Sequence, residues 1–153
     1  MQYLILIISL IFSSAAVADR PAIKVGDTLV PISLLDQFEK PLNVTAETKV
    51  LLFSRDMDGG EIIQAAFADT PDDQRPANLV YVADISGMPS LIAKYVAVPK
   101  MQDYPFTLGL DREGEITAAF PVVKGQATII KLNDLKIQSI EFAQDAKMLK
   151  LQW

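Results

Sequence analysis

Hydrophobic positions along this chain fall into short blocks separated by turn residues, and the period of each block predicts an element. Lys24 to Leu42 (KVGDTLVPISLLDQFEKPL) sets short apolar pieces between turn formers, the pattern of a small strand or hairpin. Lys49 to Ser54 (KVLLFS) is a continuous apolar run, as in a central strand covered on both faces. After the turn Arg55-Asp56-Met57-Asp58-Gly59-Gly60, the segment Glu61 to Ala68 places Ile62, Ile63, Ala66 and Phe67 at helical spacing. Asp69 to Ala77 is a polar, Pro-containing loop, and Asn78 to Ile85 (NLVYVADI) is a second strand rich in β-branched and aromatic residues. Ser86 is positioned to cap a helix over Ser90 to Val96, with Pro89 at an early position and Pro99 ending it.

Beyond that helix, Tyr104 to Leu110 predicts a strand entered through Pro105. Asp111 to Gly114 then predicts a turn, and Glu115 to Phe120 the returning strand of a hairpin. Thr128 to Leu132 and Lys136 to Phe142 alternate about Asn133-Asp134, which predicts a second hairpin. Ile137 and Phe142 do not keep the parity of Ile140, so its second strand should carry a bulge or an end twist. The last ten residues, with Met148, Leu149, Leu151 and Trp153, predict a short closing helix. No repeat or composition break follows Asp19, so residues 19–153 form a single domain of α/β class.

The first eighteen residues stand apart. Leu4 to Phe12 (LILIISLIF) is a nine-residue apolar run, followed by small residues ending Ala16-Val17-Ala18 and then by polar Asp19-Arg20. This is the pattern of a signal peptide over residues 1–18, cleaved after Ala18. The alternative is an uncleaved anchor, since no Lys or Arg precedes the run, but Tyr3 to Ala18 falls short of the ~20 residues a spanning helix needs. The expected location is therefore the periplasm or the exterior, with no membrane attachment after cleavage.

Composition narrows the chemistry further. The chain has 14 Lys and Arg against 19 Asp and Glu, and a net charge of −5 without basic clusters argues against nucleic acid as partner. It has no Cys and no His. That removes thiol nucleophiles, disulfides, Cys/His metal sites and His general bases. No Gly-x-Gly-x-x-Gly follows a strand and no phosphate-binding loop motif occurs, so no cofactor is expected.

Three segments carry a family likeness. Gly26-Asp27, Pro31 and Leu34-Leu35-Asp36 form an opening Gly-Asp…Pro…Leu-x-Asp pattern; the apolar Lys49 to Ser54 precedes a helix; and Tyr104-Pro105 leads into Asp111-Arg112-Glu113-Gly114-Glu115-Ile116. Together they resemble the thioredoxin-like superfamily, in its exported thiol-disulfide and peroxiredoxin-like branches. The resemblance implies a central mixed β-sheet flanked by helices. The Gln126 to Phe142 hairpin is an addition where the family usually has a helix. In the family the turn after the first central strand holds Cys-x-x-Cys at a helix start, and the best-matching positions here are Asp58-Gly59-Gly60-Glu61. Carboxylates cannot perform thiol-disulfide exchange. The resemblance also implies that Tyr104-Pro105 is a cis-proline loop beside that helix start, able to pair with an extended peptide.

The candidate binding residues are accordingly Asp56, Asp58, Glu61, Tyr104 and Pro105, and the expected role is redox-inactive binding of a peptide or partner protein. Three carboxylates around two glycines could instead do acid-base work or hold a hard cation, although their spacing fits no EF-hand. The plainer reading is that Asp58 caps the helix and Glu61 suits its positive end. Met57, Met88 and Met101 read as core or surface residues rather than metal ligands.

Overall fold

The computed structural model describes residues 20–153, so the signal peptide and its cleavage after Ala18 lie outside the described residues. The sheet is built outward from β3 (Val50–Ser54), whose five residues are all buried. β3 pairs in parallel with β4 (Leu79–Asp84) and antiparallel with β6 (Ala127–Asn133). Beyond β4 come β5 (Gly109–Asp111, parallel), β1 (Ile32–Asp36, antiparallel) and β2 (Pro41–Val44, antiparallel). Beyond β6 lies β7 (Lys136–Ala143, antiparallel), giving a mixed seven-stranded sheet in the order β2-β1-β5-β4-β3-β6-β7. Pro41 opens an edge strand, where its missing N–H breaks no inner ladder.

The pleat of β3 divides the core. Val50 and Leu52 join Ile63, Phe67, Tyr81, Ile129 and Leu149 on one side, whereas Leu51 and Phe53 join Val82, Phe120, Ile130 and Ile137 on the other. The buried apolar side chains of the helical segments all belong to the first group: Ile63, Ala66 and Phe67 of α1 (Met57–Ala68), Val98 of α3 (Val98–Met101), Leu149 of α4 (Ala146–Gln152), and Ala93 just after α2 (Ser90–Ile92). The second face is closed by strand ends and loops, with Leu29 and Phe120 buried over it. Among the described residues no helix is long and apolar enough to cross a membrane.

The opening hairpin, the two central strands, the closing helix and the second hairpin follow the sequence pattern. The predicted bulge is in β7: Lys131 faces Ser139 but Leu132 faces Ile137, so Gln138 is the extra residue. Three expectations fail, each because a side chain or a turn captures backbone groups. First, α1 starts at Met57 rather than Glu61, because extended Asp56 accepts the Gly59 N–H at 2.8 Å; Asp56 is the cap and Asp58 lies inside the first turn. Second, Pro99 does not end the helix. Residues Ala93–Ala97 are π-wound, with the Val98 N–H reaching the Ala93 carbonyl, so Pro99 falls at the start of resumed α-winding where no donor is required. Nor does Ser86 cap it, since its N–H and hydroxyl both donate to Asp84.

Third, the hairpin over Tyr104 to Phe120 does not form. Buried Gln37 accepts from the Leu108 N–H (3.0 Å) and donates to the carbonyls of Phe106 (2.7 Å) and Met101 (3.2 Å), so ladder pairing begins only at Gly109. Buried Asp111 accepts from the Gly114 N–H and from both the N–H and hydroxyl of Thr117. Residues 115–119 are thereby folded into turns instead of a returning strand.

Candidate functional site

β3 and β4 run in parallel and end side by side, Ser54 opposite Ala83. The chain leaves β3 into α1 and leaves β4 toward the winding segment Ser90 to Met101. Between these two helical walls, outside the carboxyl ends of the strands, is a cavity of about 520 Å³. Such a crevice is where parallel sheets place ligands, because diverging connections leave a gap there.

The α1 side of the cavity is fixed by charged hydrogen bonds. Asp56 uses one carboxylate oxygen for the Gly59 N–H and the other for the Gly125 N–H, both at 2.8 Å, which ties the loop before β6 to the helix start. Arg55 donates to Asp84 at 3.0 Å and to the Thr117 carbonyl at 2.7 Å. Asp84 is buried and its other oxygen takes two bonds from Ser86. These ions are spent on the fold.

Glu61 and half-buried Tyr104 line the cavity together with Asp56. Tyr104 is held by the Gln37-tied loop and stacks on Phe106 with ring centroids 5.2 Å apart. Its phenol is pushed up from the ordinary value by burial; a Gln64 hydrogen bond pulls it down, and the Glu61 charge adds a further upward push. Asp58 is exposed on the first turn and faces the Gly125 loop rather than the cavity. Pro105 lies elsewhere, in a depression with Phe67, Arg75 and Phe106.

The expected cis bond between Tyr104 and Pro105 is absent, since no peptide bond among the described residues is cis. The loop that touches the α1 start is instead Gly125-Gln126, close enough that a Cβ on Gly59 would sit 2.6 Å from the Gln126 carbonyl oxygen. Among the described residues no group of three or more carboxylates could hold a metal ion, so Asp56, Asp58 and Glu61 do not converge on a cation site.

Several lining residues escaped the sequence reading. Ser54 and Tyr81 bond to each other at the floor, and Met57, Met88 and Met101 come together in the walls with Ile92 and Val96. The methionines stand on α1, on the connection after β4 and on α3, so only folding gathers them. Ile92 and Val96 did carry a signal, being apolar and four residues apart in a segment with helical spacing.

No family model matches the sequence, and no curated protein matches it. Solved structures do. A thio-disulfide isomerase from Thermus thermophilus is similar over 85% of this chain and 94% of its own, at TM-score 0.53 and 19% identity. The thioredoxin domain of a thiol-disulfide oxidoreductase from Bacteroides vulgatus is similar over 86% and 97%, at TM-score 0.51 and 11% identity. The fold is thioredoxin-like. The peroxidoxin BcpB from Mycobacterium tuberculosis shares this thioredoxin-like architecture over 83% and 92%, at TM-score 0.51 and 18% identity. All three are named for thiol or peroxide chemistry, whereas this chain contains no cysteine.

Proposed function

We propose that this is an exported, redox-inactive thioredoxin-like protein that works by binding a peptide or partner protein across the mouth of the cavity. The observation that carries the reading is the character of that mouth. Met57, Ile92 and Val96 line it and are large, apolar and exposed, and Leu91 and Tyr95 stand exposed on the same segment as Ile92 and Val96, while the positions that resemble the family's cysteine pair are Asp58 and Glu61. Apolar side chains clustered in water favour a partner that covers them, and thioether chains adapt to varied shapes. Export is supported by the leader pattern of residues 1–18. The alternatives fare less well: Asp56 has both oxygens engaged, and the carboxylates do not gather around one point.

The test is capture with the tagged mature chain from the exported fraction of its native cell, with mass spectrometry of what is retained. A Leu91→Ser/Tyr95→Ser variant serves as control. The reading expects a protein or peptide retained by the native chain and lost from the variant, an N-terminus at Asp19, and no insulin reduction or peroxide consumption above buffer. Equal retention by both chains would overturn the docking face, and turnover would overturn redox inactivity.

A further inference from the structure

The floor of the cavity holds a hydrogen-bond donor that the fold leaves unspent. Ser54 Oγ and Tyr81 Oη lie 2.8 Å apart, in residues only 4% and 3% exposed. Two hydroxyls carry two protons, and their mutual bond uses one. Among the described residues neither oxygen has another partner, so one O–H of this buried pair has no protein acceptor and is left to whatever occupies the cavity. Both hydroxyls face the cavity beneath Gly60: a Cβ there would stand 3.6 Å from Tyr81 Oη and 3.7 Å from Ser54 Oγ. Ser54 and Gly60 border this cavity and not the neighbouring depression around Pro105. Buried polar groups find partners in native proteins, and an orphan donor pointing into a cavity marks where a ligand's acceptor belongs.

The rest of the cavity defines the ligand's body. Above the hydroxyls the walls are Met88, Ile92, Val96, Met101 and Leu108. Its volume of about 520 Å³ lies within the ~300–1,000 Å³ of small-molecule sites. Asp56 and Glu61 on the rim oppose an anion, Lys100 opposes a cation, and Arg55 is already engaged by Asp84. Burial keeps the Tyr81 phenol protonated, its pKa pushed up to about 12, so it donates rather than repels an oxygen.

We infer that the cavity binds a small, uncharged, mainly apolar molecule whose carbonyl oxygen accepts the free proton of the Ser54–Tyr81 pair. This goes beyond the docking reading and does not depend on it, because it concerns the interior and not the mouth.

The mature chain is titrated with prodan, a neutral naphthalene ketone whose emission reports polarity and hydrogen bonding. Parallel titrations use dimethylaminonaphthalene, which lacks the carbonyl, and anilinonaphthalene sulfonate, which is an anion. Prodan binds saturably with blue-shifted emission, about tenfold more tightly than the carbonyl-free amine and more tightly than the sulfonate. Ser54→Ala/Tyr81→Phe removes both hydroxyls together and abolishes the preference for the ketone while leaving the amine unchanged. Gly60→Ala, which adds a helix-favouring methyl over the hydroxyls, raises the melting temperature by about 2–4 °C and weakens prodan about tenfold. The inference is overturned if prodan does not saturate, if ketone and amine bind alike, if the sulfonate binds best, or if the double variant keeps the preference. Failure of partner capture would leave these results untouched.

Discussion

Across the cavity, α1 and the winding segment from Ser90 to Met101 are held by different means. α1 is capped by Asp56, tied to the Gly125 loop, and buries Gly59, Gly60, Ile63, Ala66 and Phe67. The opposite wall begins at Pro89 with no side-chain cap, passes through a π turn, and buries only Ala93 and Val98 along its length. Its large residues Leu91, Ile92, Tyr95 and Val96 stay exposed, Ile92 and Val96 at the cavity itself. One wall is specified by its own hydrogen bonds and the other by little besides two small anchors. Low local stability is what a surface that reshapes around partners requires, and π turns recur at such places.

That contrast can be broken most severely at Gly59. Gly59→Ala drives a methyl into the Gln126 backbone at 2.6 Å, so it should cost about 3 kcal/mol in denaturant unfolding, whereas the same change at the neighbouring Gly60 meets nothing closer than 3.6 Å and should not destabilise. If the two substitutions behave alike, the α1 wall is not held as described. Alkaline pH probes the floor between the walls. The folded-state pKa of Tyr81 is raised to about 12 from 10.0, so the folded chain keeps a proton that the unfolded chain releases above pH 10. Whatever this group contributes is fully present below pH 10 and is lost as pH rises through 12, a loss of about 3 kcal/mol. Absorbance titration of the mature chain should show one of its three tyrosines, Tyr81, Tyr95 and Tyr104, ionising last, and that step should be absent from Tyr81→Phe.

A milder perturbation is Asp56→Ala, which removes the cap and the tie to Gly125. It should cost about 1–2 kcal/mol in thermal unfolding, with Asn recovering part of it. No equivalent change exists on the opposite wall, because that helix has no side-chain cap to lose. The smallest effect is expected from Leu91→Ser. Leu91 is 68% exposed, so stability should change by less than about 0.5 kcal/mol while partner capture declines. A large drop in melting temperature would instead place Leu91 in packing that the structure does not give it.

The two walls were also unequally legible. The floor strand β3 and the α1 helix follow from continuous and 3.6-period apolar patterns, and the Asp-rich start of α1 was readable, although the cap proved to be Asp56 and not Asp58. The second wall was cut short at Pro99 because a proline normally stops a helix. The π turn that accommodates it depends on how Ala93 and Val98 seat against the core, and no local pattern carries that. Of the candidate residues, Asp56, Glu61 and Tyr104 meet at the cavity, while Asp58 faces outward and Pro105 lies in another depression.

By itself the sequence determined the order of the central strands and helices, the late hairpin with its bulge, and the absence of thiol and imidazole chemistry. Periodicity reports which face of an element is buried, and composition reports which atoms exist at all. Tertiary structure decided what distant backbone groups do. Gln37 captures the strand start at Leu108, Asp111 folds the chain about Thr117, and Gly125 takes the place beside α1 that Pro105 was expected to fill. A side chain's choice among remote N–H and carbonyl partners depends on distances set only when the sheet is assembled, so the Ser54–Tyr81 pair and the cavity above it could be seen only in three dimensions.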